Sequence, residues 1–344
     1  MDKSKVFKKN KTVKWSFMII AMIFTFFASL FLGRYVISPK TVLNILINGI
    51  FNTNLNASAM ESSIVIGIRL PRTILSMLIG AALSVSGATY QGLFKNPLVS
   101  PDVLGVSSGA GFGAVLAILF TGISGITPLY AFGFGIFSVF LTYFFAKDRE
   151  EVSMMSLVLS GMIVSSIFSA LISLVKYVAD PYDKLPAITY WLMGSFAKVT
   201  YEDLKLVIVP IMIGIIMLNL LRWRINILSL GDEESLSLGI NPVKTRFVAI
   251  FISTVLTAAS VSVVGIVGWV GLVIPHISRI LVGVDHKDLI PASCILGAIF
   301  LTLVDIIARS ASSVEIPIGI ITSLLGAPFF AFLLRNVRRS RGEW

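Results

Sequence analysis

Cysteine, histidine and charged residues are all scarce in this sequence. The single cysteine, Cys294, lies inside an apolar run, so the chain has no disulfide framework and no cysteine-based metal site. The two histidines, His276 and His286, are too few to build a metal centre without other ligands. Only 13% of the 344 residues are charged, whereas soluble domains carry roughly 25%. The composition therefore argues against a soluble domain, and we expect neither a resident metal nor another cofactor.

Apolar residues dominate instead. They make up 56% of the chain, and the mean hydropathy is +0.91. This composition predicts an all-α membrane protein that forms one transmembrane domain over residues 1–344. The net charge of +10 does not indicate a nucleic-acid partner, because the basic residues are scattered between apolar runs and form no patch with interleaved aromatic residues. Membrane lipid with negatively charged headgroups is the simpler partner.

Nine apolar stretches are close to the length of about 20 residues that a bilayer crossing needs. They lie at residues 15–36, 73–94, 103–120, 128–146, 154–177, 204–222, 247–266, 291–308 and 317–334. The first is too long for a signal-peptide core and no small-residue cleavage site follows it, so we predict an uncleaved span. A tenth stretch, 267–284, is interrupted by Pro275, His276 and Arg279, and it either crosses the membrane or re-enters on the same side.

The basic residues decide between nine and ten spans. With ten spans and both termini inside, 19 of the 28 lysines and arginines face the cytoplasm. The terminal tails, residues 1–14 and 335–344, are both strongly basic, and the positive-inside rule favours a cytoplasmic position for each. The sequence therefore predicts about ten transmembrane helices in the cytoplasmic membrane, with both termini in the cytoplasm.

Three arginines break this trend at the predicted outer face. Arg69 and Arg72 flank a Leu-Pro pair in "GIRLPR", before the second span, and Arg309 lies at the outer end of the ninth. A lone arginine at a helix end commonly extends to the lipid headgroups. For the clustered pair, which Pro71 stiffens, a docking surface for an acidic partner is the favoured interpretation.

The largest predicted cytoplasmic segment between spans is 222–246. It contains the acidic cluster Asp232, Glu233 and Glu234, followed by Gly239. Interspersed apolar residues indicate short helices that lie against another surface. Anionic lipid would repel the acidic cluster, so a protein partner on the cytoplasmic side fits better than lipid.

Other features separate the possible function classes. Ionisable residues within the predicted spans are few, which counts against an ion-coupled secondary transporter because such transporters keep charges near the membrane midplane. A membrane-embedded enzyme would need a clustered catalytic set, which the two histidines do not supply. The sequence contains no GxxxxGK[ST] motif, so the chain cannot by itself bind ATP in a P-loop. Asn96, in "FKNPLVSPD" between the second and third spans, indicates either a turn or a pore mouth.

Seven blocks in fixed order, over about residues 60–334, resemble the FecCD family of permease subunits in ABC importers for iron–siderophores, haem and cobalamin. They read "RLPR", "GAALSVSGATYQGLFKNPLVSPDVLGVSSGAG", "YWLMGS", "LSLGDEESLSLGI", "GWVGLVIPHISRILVGVDHKDLIPAS", "DIIAR" and "EIPIGIITSLLGAPFF". The resemblance implies a type II importer bundle of ten helices, paired with a second permease copy or a homologous permease. It also implies two cytoplasmic ATP-binding subunits, an external substrate-binding protein and no ATPase site on this chain, which is then not an enzyme.

The resemblance also implies residue roles. Arg69, Arg72 and Arg309 match arginines that pair with acidic residues of the binding protein. Asn96 and Leu98 match the constriction that closes the path at the cytoplasmic side. The segment 228–240 looks like the coupling helices that contact the ATPase, with Asp232, Glu233, Glu234 and Gly239 as the contact residues. An iron–siderophore is the implied cargo, with haem or cobalamin as alternatives; an ion-coupled secondary transporter is the less favoured reading.

Overall fold

The computed structural model describes residues 3–51, 56, 58–147 and 153–340, without the side chains of 3–10, 50 and 333–340. Within these residues every regular element is a helix, which confirms the all-α class. The elements are α1 Lys3–Phe31, α2 Pro39–Phe51, α3 Ala59–Ser62, a π-helix Ser63–Arg69, α4 Leu70–Leu93, a 3₁₀ helix Pro101–Leu104, α5 Val106–Thr121, α6 Thr127–Ala146, α7 Met154–Val178, α8 Lys184–Leu192, α9 Tyr201–Leu228, α10 Asp232–Ser237, α11 Pro242–Val264, α12 Val270–Val282, α13 His286–Ser310 and α14 Ile318–Ser340. Residues 1–2 and 341–344 of the basic tails lie outside the described residues.

Several of these helices match the apolar stretches of the sequence. Among the described residues, seven are long and apolar enough to cross a membrane: Lys11–Phe31, Ala59–Leu93, Thr127–Ala146, Met154–Val178, Tyr201–Leu228, Pro242–Val264 and His286–Ser310. Three shorter apolar helices are Val106–Thr121, Val270–Val282 and Ile318–Phe332. The interrupted stretch is thus a short helix, α12, with Pro275 inside it. The ten-span topology and the cytoplasmic position of both termini stay predictions.

Helix α4 lies at the centre of the bundle. Every residue from Ile79 to Leu93 is buried, and the helix contacts α9, α11, α12 and α13. Small residues make this possible, because they let neighbouring backbones come close in a membrane protein. A Cβ atom on Gly80 would lie 2.1 Å from the carbonyl oxygen of Gly297 on α13. The close contact between α4 and α13 therefore depends on glycine at both of these positions.

Helices α1, α6, α7 and α9 form much of the outside of the bundle. Between 22% and 33% of the residues in their most apolar windows are buried, against 72% for α11. Their exposed residues include large apolar side chains such as Phe24, Phe144, Leu174 and Leu220. These helices therefore present the surface that faces lipid or another membrane-embedded chain.

Short elements cover the predicted outer end. Helix α2 buries Val42 and Ile45 against Leu30 of α1 and Val65 of the π-helix. This cluster fixes the end of α1 beside the start of α4, where the arginines of "GIRLPR" are located.

Backbone hydrogen bonds join the connection after α8 to the end of α11 and to the start of α14. The N–H of Ser195, just after α8, donates to the Val264 carbonyl at 2.8 Å. The N–H of Ile318, at the start of α14, donates to the Gly194 carbonyl at 2.9 Å. Because these bonds use groups that no helix satisfies, they anchor the start of α14 to the connection between α8 and α9.

Candidate functional site

The three arginines predicted to dock a partner come together inside the protein. Arg69, Arg72 and Arg309 are 4%, 4% and 5% exposed. Arg69 ends the π-helix, Arg72 lies in the first turn of α4, and Arg309 lies in the last turn of α13. They form, with Asp305 and Glu315, what we call the outer arginine cluster. Their predicted docking role stays a prediction, and in this structure none of the three guanidinium groups lies free at the surface.

Arg72 holds both carboxylates of the cluster. Its Nε and Nη2 donate to Asp305 Oδ1 at 2.9 and 2.8 Å, while Nη1 and Nη2 donate to the two oxygens of Glu315 at 3.0 and 2.9 Å. The Asp305 side chain is fully buried, whereas that of Glu315 is 23% exposed. The planar fork of arginine suits such bidentate contacts, and a buried charge needs them because an unpaired one is costly.

Arg309 joins α13 to α1. Its Nη2 donates to the carbonyl and the hydroxyl oxygen of Ser29 at 2.6 and 2.7 Å, and its Nε lies 3.5 Å from Asp305 Oδ2. The outer arginine cluster therefore combines three arginines with two carboxylates. Counted over the described residues that form it, the cluster has one positive charge in excess.

Arg69 binds the end of helix α1. Its Nη1 donates to the carbonyls of Leu30 and Phe31 at 2.8 and 3.0 Å, and its Nη2 donates to the Tyr35 carbonyl. The last carbonyls of a helix have no partner within the helix and carry partial negative charge. Arg69 thus stabilises the end of α1 through backbone contacts, and among the described residues it forms no ion pair with a carboxylate.

The predicted coupling segment contains a short helix with an apolar exposed face. Residues 222–228 continue α9, and the separate helix is α10. Leu236 and Leu238 are 60% and 55% exposed, while buried Ser235 donates its hydroxyl to the Ile227 carbonyl at 3.2 Å. Gly239 has a φ of +74°, in the left-handed region that favours glycine. The segment is therefore held against α9 on one side and presents leucines on the other.

Of the three acidic residues predicted to contact the ATPase, Asp232 is already paired with a residue of its own chain. Arg246 of α11 donates from Nη1 to Asp232 Oδ2 at 2.7 Å. This hydrogen bond lowers the pKa of Asp232 below its ordinary value of 3.8. Glu233 and Glu234 are exposed. Asp232 thus fixes α10 to α11, and the two glutamates are the carboxylates left to meet a partner.

The predicted gate residues lie in an exposed turn between α4 and the 3₁₀ helix. Asn96 Oδ1 accepts a hydrogen bond from the Leu98 N–H at 2.9 Å, and Lys95 has a left-handed φ of 49°. Leu98 is 45% exposed. The Asn96 side chain therefore stabilises the turn through the backbone N–H two residues later, and the gate role of the two residues stays a prediction.

A cavity of about 690 Å³ opens beside this turn. Its lining includes Gln91, Lys95, Asn96, Trp223, Asn226, Arg279, Asp285 and His286. Arg279 Nη2 donates to Gln91 Oε1 at 2.7 Å, and Asn226 Oδ1 accepts from the His286 N–H at 2.8 Å. These contacts link α12 to α4 and α9 to α13 around the cavity.

The chain is similar to known transport proteins along nearly its whole length. A family model for the FecCD transport family matches residues 21–336. The chain belongs to the FecCD family. It is therefore a multi-pass membrane permease of an ABC importer, which works with ATP-binding subunits and a second permease copy. This confirms the resemblance drawn from the seven sequence blocks.

Individual FecCD relatives carry different names. The molybdate import system permease protein MolB of Haemophilus influenzae is 41% identical over 322 residues, which cover 93% of this chain and 94% of that protein. A probable iron chelatin transport system permease protein of Helicobacter pylori is 45% identical over 278 residues, 80% of this chain and 84% of that protein. A solved structure, described as an inward-facing conformation of a putative metal-chelate type ABC transporter, has a TM-score of 0.85 and 38% identity, and covers 95% of this chain and 99% of that one.

Sequence reasoning missed the internal partners of the arginines in this FecCD permease. It weighed a protein partner against lipid headgroups and did not pair Arg72 with Asp305 or Glu315. A local signal was present, because Asp305 and Arg309 are four residues apart and so share one face of a helix. A carboxylate inside an apolar run also needs a partner, because it is costly to keep unpaired in a membrane.

Proposed function

We propose that this FecCD permease forms the membrane path of an importer for an iron–siderophore. The observation that supports this cargo is the 45% identity to the Helicobacter pylori protein named for iron chelatin transport. This chain would supply the path, and ATP hydrolysis on the partner subunits would supply the energy. A second candidate cargo is molybdate, because MolB of Haemophilus influenzae is 41% identical over 93% of this chain. Haem and cobalamin, which the sequence resemblance includes, are the further alternatives.

A weakly polar face on α7 supports a path for a bulky chelate. Ser166, Ser169 and Ser173 are exposed, and their spacing of three and four residues puts them on one helix face. Ser166 and Ser173 donate to carbonyls of their own helix, which leaves the face only mildly polar. Such a lining lets a large cargo pass without holding it, whereas a strong ligand site would slow its release.

Uptake by the assembled complex in liposomes tests the cargo. The permease and its ATP-binding subunits are reconstituted with the substrate-binding protein of the same transport system, and radioactive ferric hydroxamate, haem, cobalamin and molybdate are supplied in parallel. We expect ATP-dependent uptake of ferric hydroxamate alone. Uptake of molybdate instead would establish the second candidate, and uptake of any cargo without ATP would contradict the importer itself.

We propose that the outer arginine cluster is where acidic residues of the substrate-binding protein dock. Its excess positive charge, from three arginines and two carboxylates, supports this role. Complementary charges mainly fix orientation and association rate. Binding of the substrate-binding protein should therefore weaken as salt rises, because charges at a surface are screened beyond about 8 Å at physiological ionic strength. Affinity that does not change between low and high salt would contradict charge-based docking.

We propose that α10 and the residue that follows it contact the ATP-binding subunit through Leu236, Leu238 and the two exposed glutamates. Leu236→Glu should reduce substrate-stimulated ATPase activity while the complex still assembles, because a carboxylate replaces exposed apolar surface. Ser237→Glu, on the same helix and also exposed, controls for the added charge. Equal ATPase activity in both variants and the wild type would show that the contact with the ATP-binding subunit lies elsewhere.

We propose that Asn96 and Leu98 narrow the cytoplasmic mouth where two permease copies meet. Leu98→Cys in a Cys294→Ala background should form a disulfide between the two copies, in a yield that ATP changes. Crosslinking that is independent of nucleotide, or absent, would show that Asn96 and Leu98 form a turn and not a gate.

A further inference from the structure

We propose that Glu315 occupies the place of a partner's carboxylate, and that an acidic side chain of the substrate-binding protein replaces it on Arg72 when the two proteins dock. This inference rests on the proposed function, because it requires a substrate-binding protein to dock at the outer arginine cluster.

The two carboxylates on Arg72 differ in how readily they can be replaced. Asp305 lies within helix α13, its side chain is fully buried, and it accepts from Nε and Nη2. Glu315 lies in the non-helical segment 311–317, its side chain is 23% exposed, and it accepts from Nη1 and Nη2. The edge of the guanidinium that Glu315 holds is therefore the edge nearer to solvent. A carboxylate arriving from outside can compete there and cannot reach the edge held by Asp305.

The charge balance favours an incoming carboxylate over an incoming cation. Exchange with Glu315 leaves the cluster with three arginines and two carboxylates, and its net positive charge attracts an acidic side chain. This side chain could not bind Nη1 and Nη2 of Arg72 while Glu315 is also bound there, because two adjacent carboxylates repel each other. During the exchange Arg72 stays paired, because Asp305 keeps its hydrogen bonds. The displaced Glu315 side chain moves to solvent, where its charge is hydrated.

Loss of Glu315 from Arg72 would loosen the connection between α13 and α14. Within this segment the Ile316 N–H donates to the Ala308 carbonyl at 3.1 Å, and α14 then begins at Ile318, whose N–H donates to Gly194. A docking event at the surface would thus act on the start of α14 through a segment of a few residues. Glu315 is, on this reasoning, a positioning residue that the partner displaces.

Glu315→Gln tests the exchange, because it removes the competing charge and keeps the side-chain shape. The protein is the assembled permease–ATPase complex in lipid nanodiscs, and the probe is the substrate-binding protein of the same transport system. We expect about 1.4-fold to fivefold tighter binding at low salt, the range that one partly exposed charge contact produces. Glu202→Gln is the matched control, because Glu202 is an exposed glutamate at the outer end of α9 that pairs with Lys205 and not with the cluster. It should leave the affinity unchanged.

A spin label gives a second readout of the segment. Ser313→Cys in a Cys294→Ala background places a nitroxide on an exposed residue of 311–317. Label mobility should rise when the substrate-binding protein docks, and it should already be high in the Glu315→Gln form alone. Equal affinity and equal mobility in wild type and Glu315→Gln would overturn the exchange while leaving the importer function intact.

Two further outcomes separate the inference from the proposed function. If the substrate-binding protein binds neither form of the complex, the proposed docking fails and this inference fails with it. If millimolar sodium glutarate raises label mobility and the substrate-binding protein does not, the occupant is a small carboxylate and exchange with a protein partner is refuted.

Discussion

The close contact between α4 and α13 allows a stability prediction from a single methyl group. Gly80→Ala would put a Cβ atom 2.1 Å from the Gly297 carbonyl oxygen, whereas real Cβ contacts essentially never fall below 3.0 Å. The two helices must therefore separate by about 1 Å. The obstacle is backbone and not the end of a flexible side chain, so the strain cannot be relieved by a rotamer change.

Overpacking of this kind destabilises a protein by about 1–3 kcal/mol, and we expect the upper end of that range. The substitution also moves a methyl group into the fully buried centre of the bundle, where α12 and α9 limit any adjustment of α4. Gly133→Ala is the matched control. Gly133 is an exposed residue of α6 with nothing within 4 Å of its added Cβ, so the better helix propensity of alanine should stabilise it by up to about 1 kcal/mol.

Thermal unfolding of the two variants in the same detergent measures the difference. We expect a lower apparent melting temperature for Gly80→Ala and an unchanged or slightly higher one for Gly133→Ala. If Gly80→Ala were as stable as Gly133→Ala, the close approach of α4 and α13 would be wrong.

Three further predictions follow from the two ends of the bundle. Asp305→Asn leaves three buried arginines with one carboxylate, which should destabilise the protein by about 3–5 kcal/mol; normal accumulation in the membrane would contradict this. Gly239→Val should lose substrate-stimulated ATPase activity, because a left-handed φ strains a β-branched residue by about 1–2 kcal/mol, whereas Gly239→Asn, whose side chain tolerates a left-handed φ, should retain more of it. Arg246→Ala should raise the pKa of Asp232 toward 3.8 in carboxyl-carbon NMR titrations, because the wild-type contact is made to the charged carboxylate and is lost only at lower pH; an unchanged pKa would show that Arg246 does not bind Asp232.

Helix positions were predictable from hydropathy, but helix ends were not. The first span was predicted at 15–36, whereas α1 runs from Lys3 to Phe31. Backbone hydrogen bonding continues a helix beyond the apolar stretch, so polarity does not mark where it begins. The short helix α12 was ambiguous for the opposite reason, because Pro275 and Arg279 interrupt the apolar pattern without ending the helix.

The arrangement of the candidate sites was partly predictable. The Asn96 turn follows from a local preference, since an asparagine readily bonds the backbone two residues later. The arginine cluster depends on distant residues, because 233 positions separate Arg72 from Asp305. A side chain's sequence neighbours do not reveal such a partner, so burial of Arg72 could be found only from the fold.

The length of α9 determines how far α10 lies from the bilayer. At about 1.5 Å per residue, its 28 residues extend roughly 42 Å, whereas the hydrocarbon core is about 30 Å thick. With little tilt, the excess of roughly 12 Å is shared between the two ends of α9, and the part at its C-terminal end carries α10 to the level of the headgroups. A helix of this length acts as a rigid spacer, so removing one turn would draw the Leu236 and Leu238 surface back toward the lipid, even though every residue of that surface is unchanged.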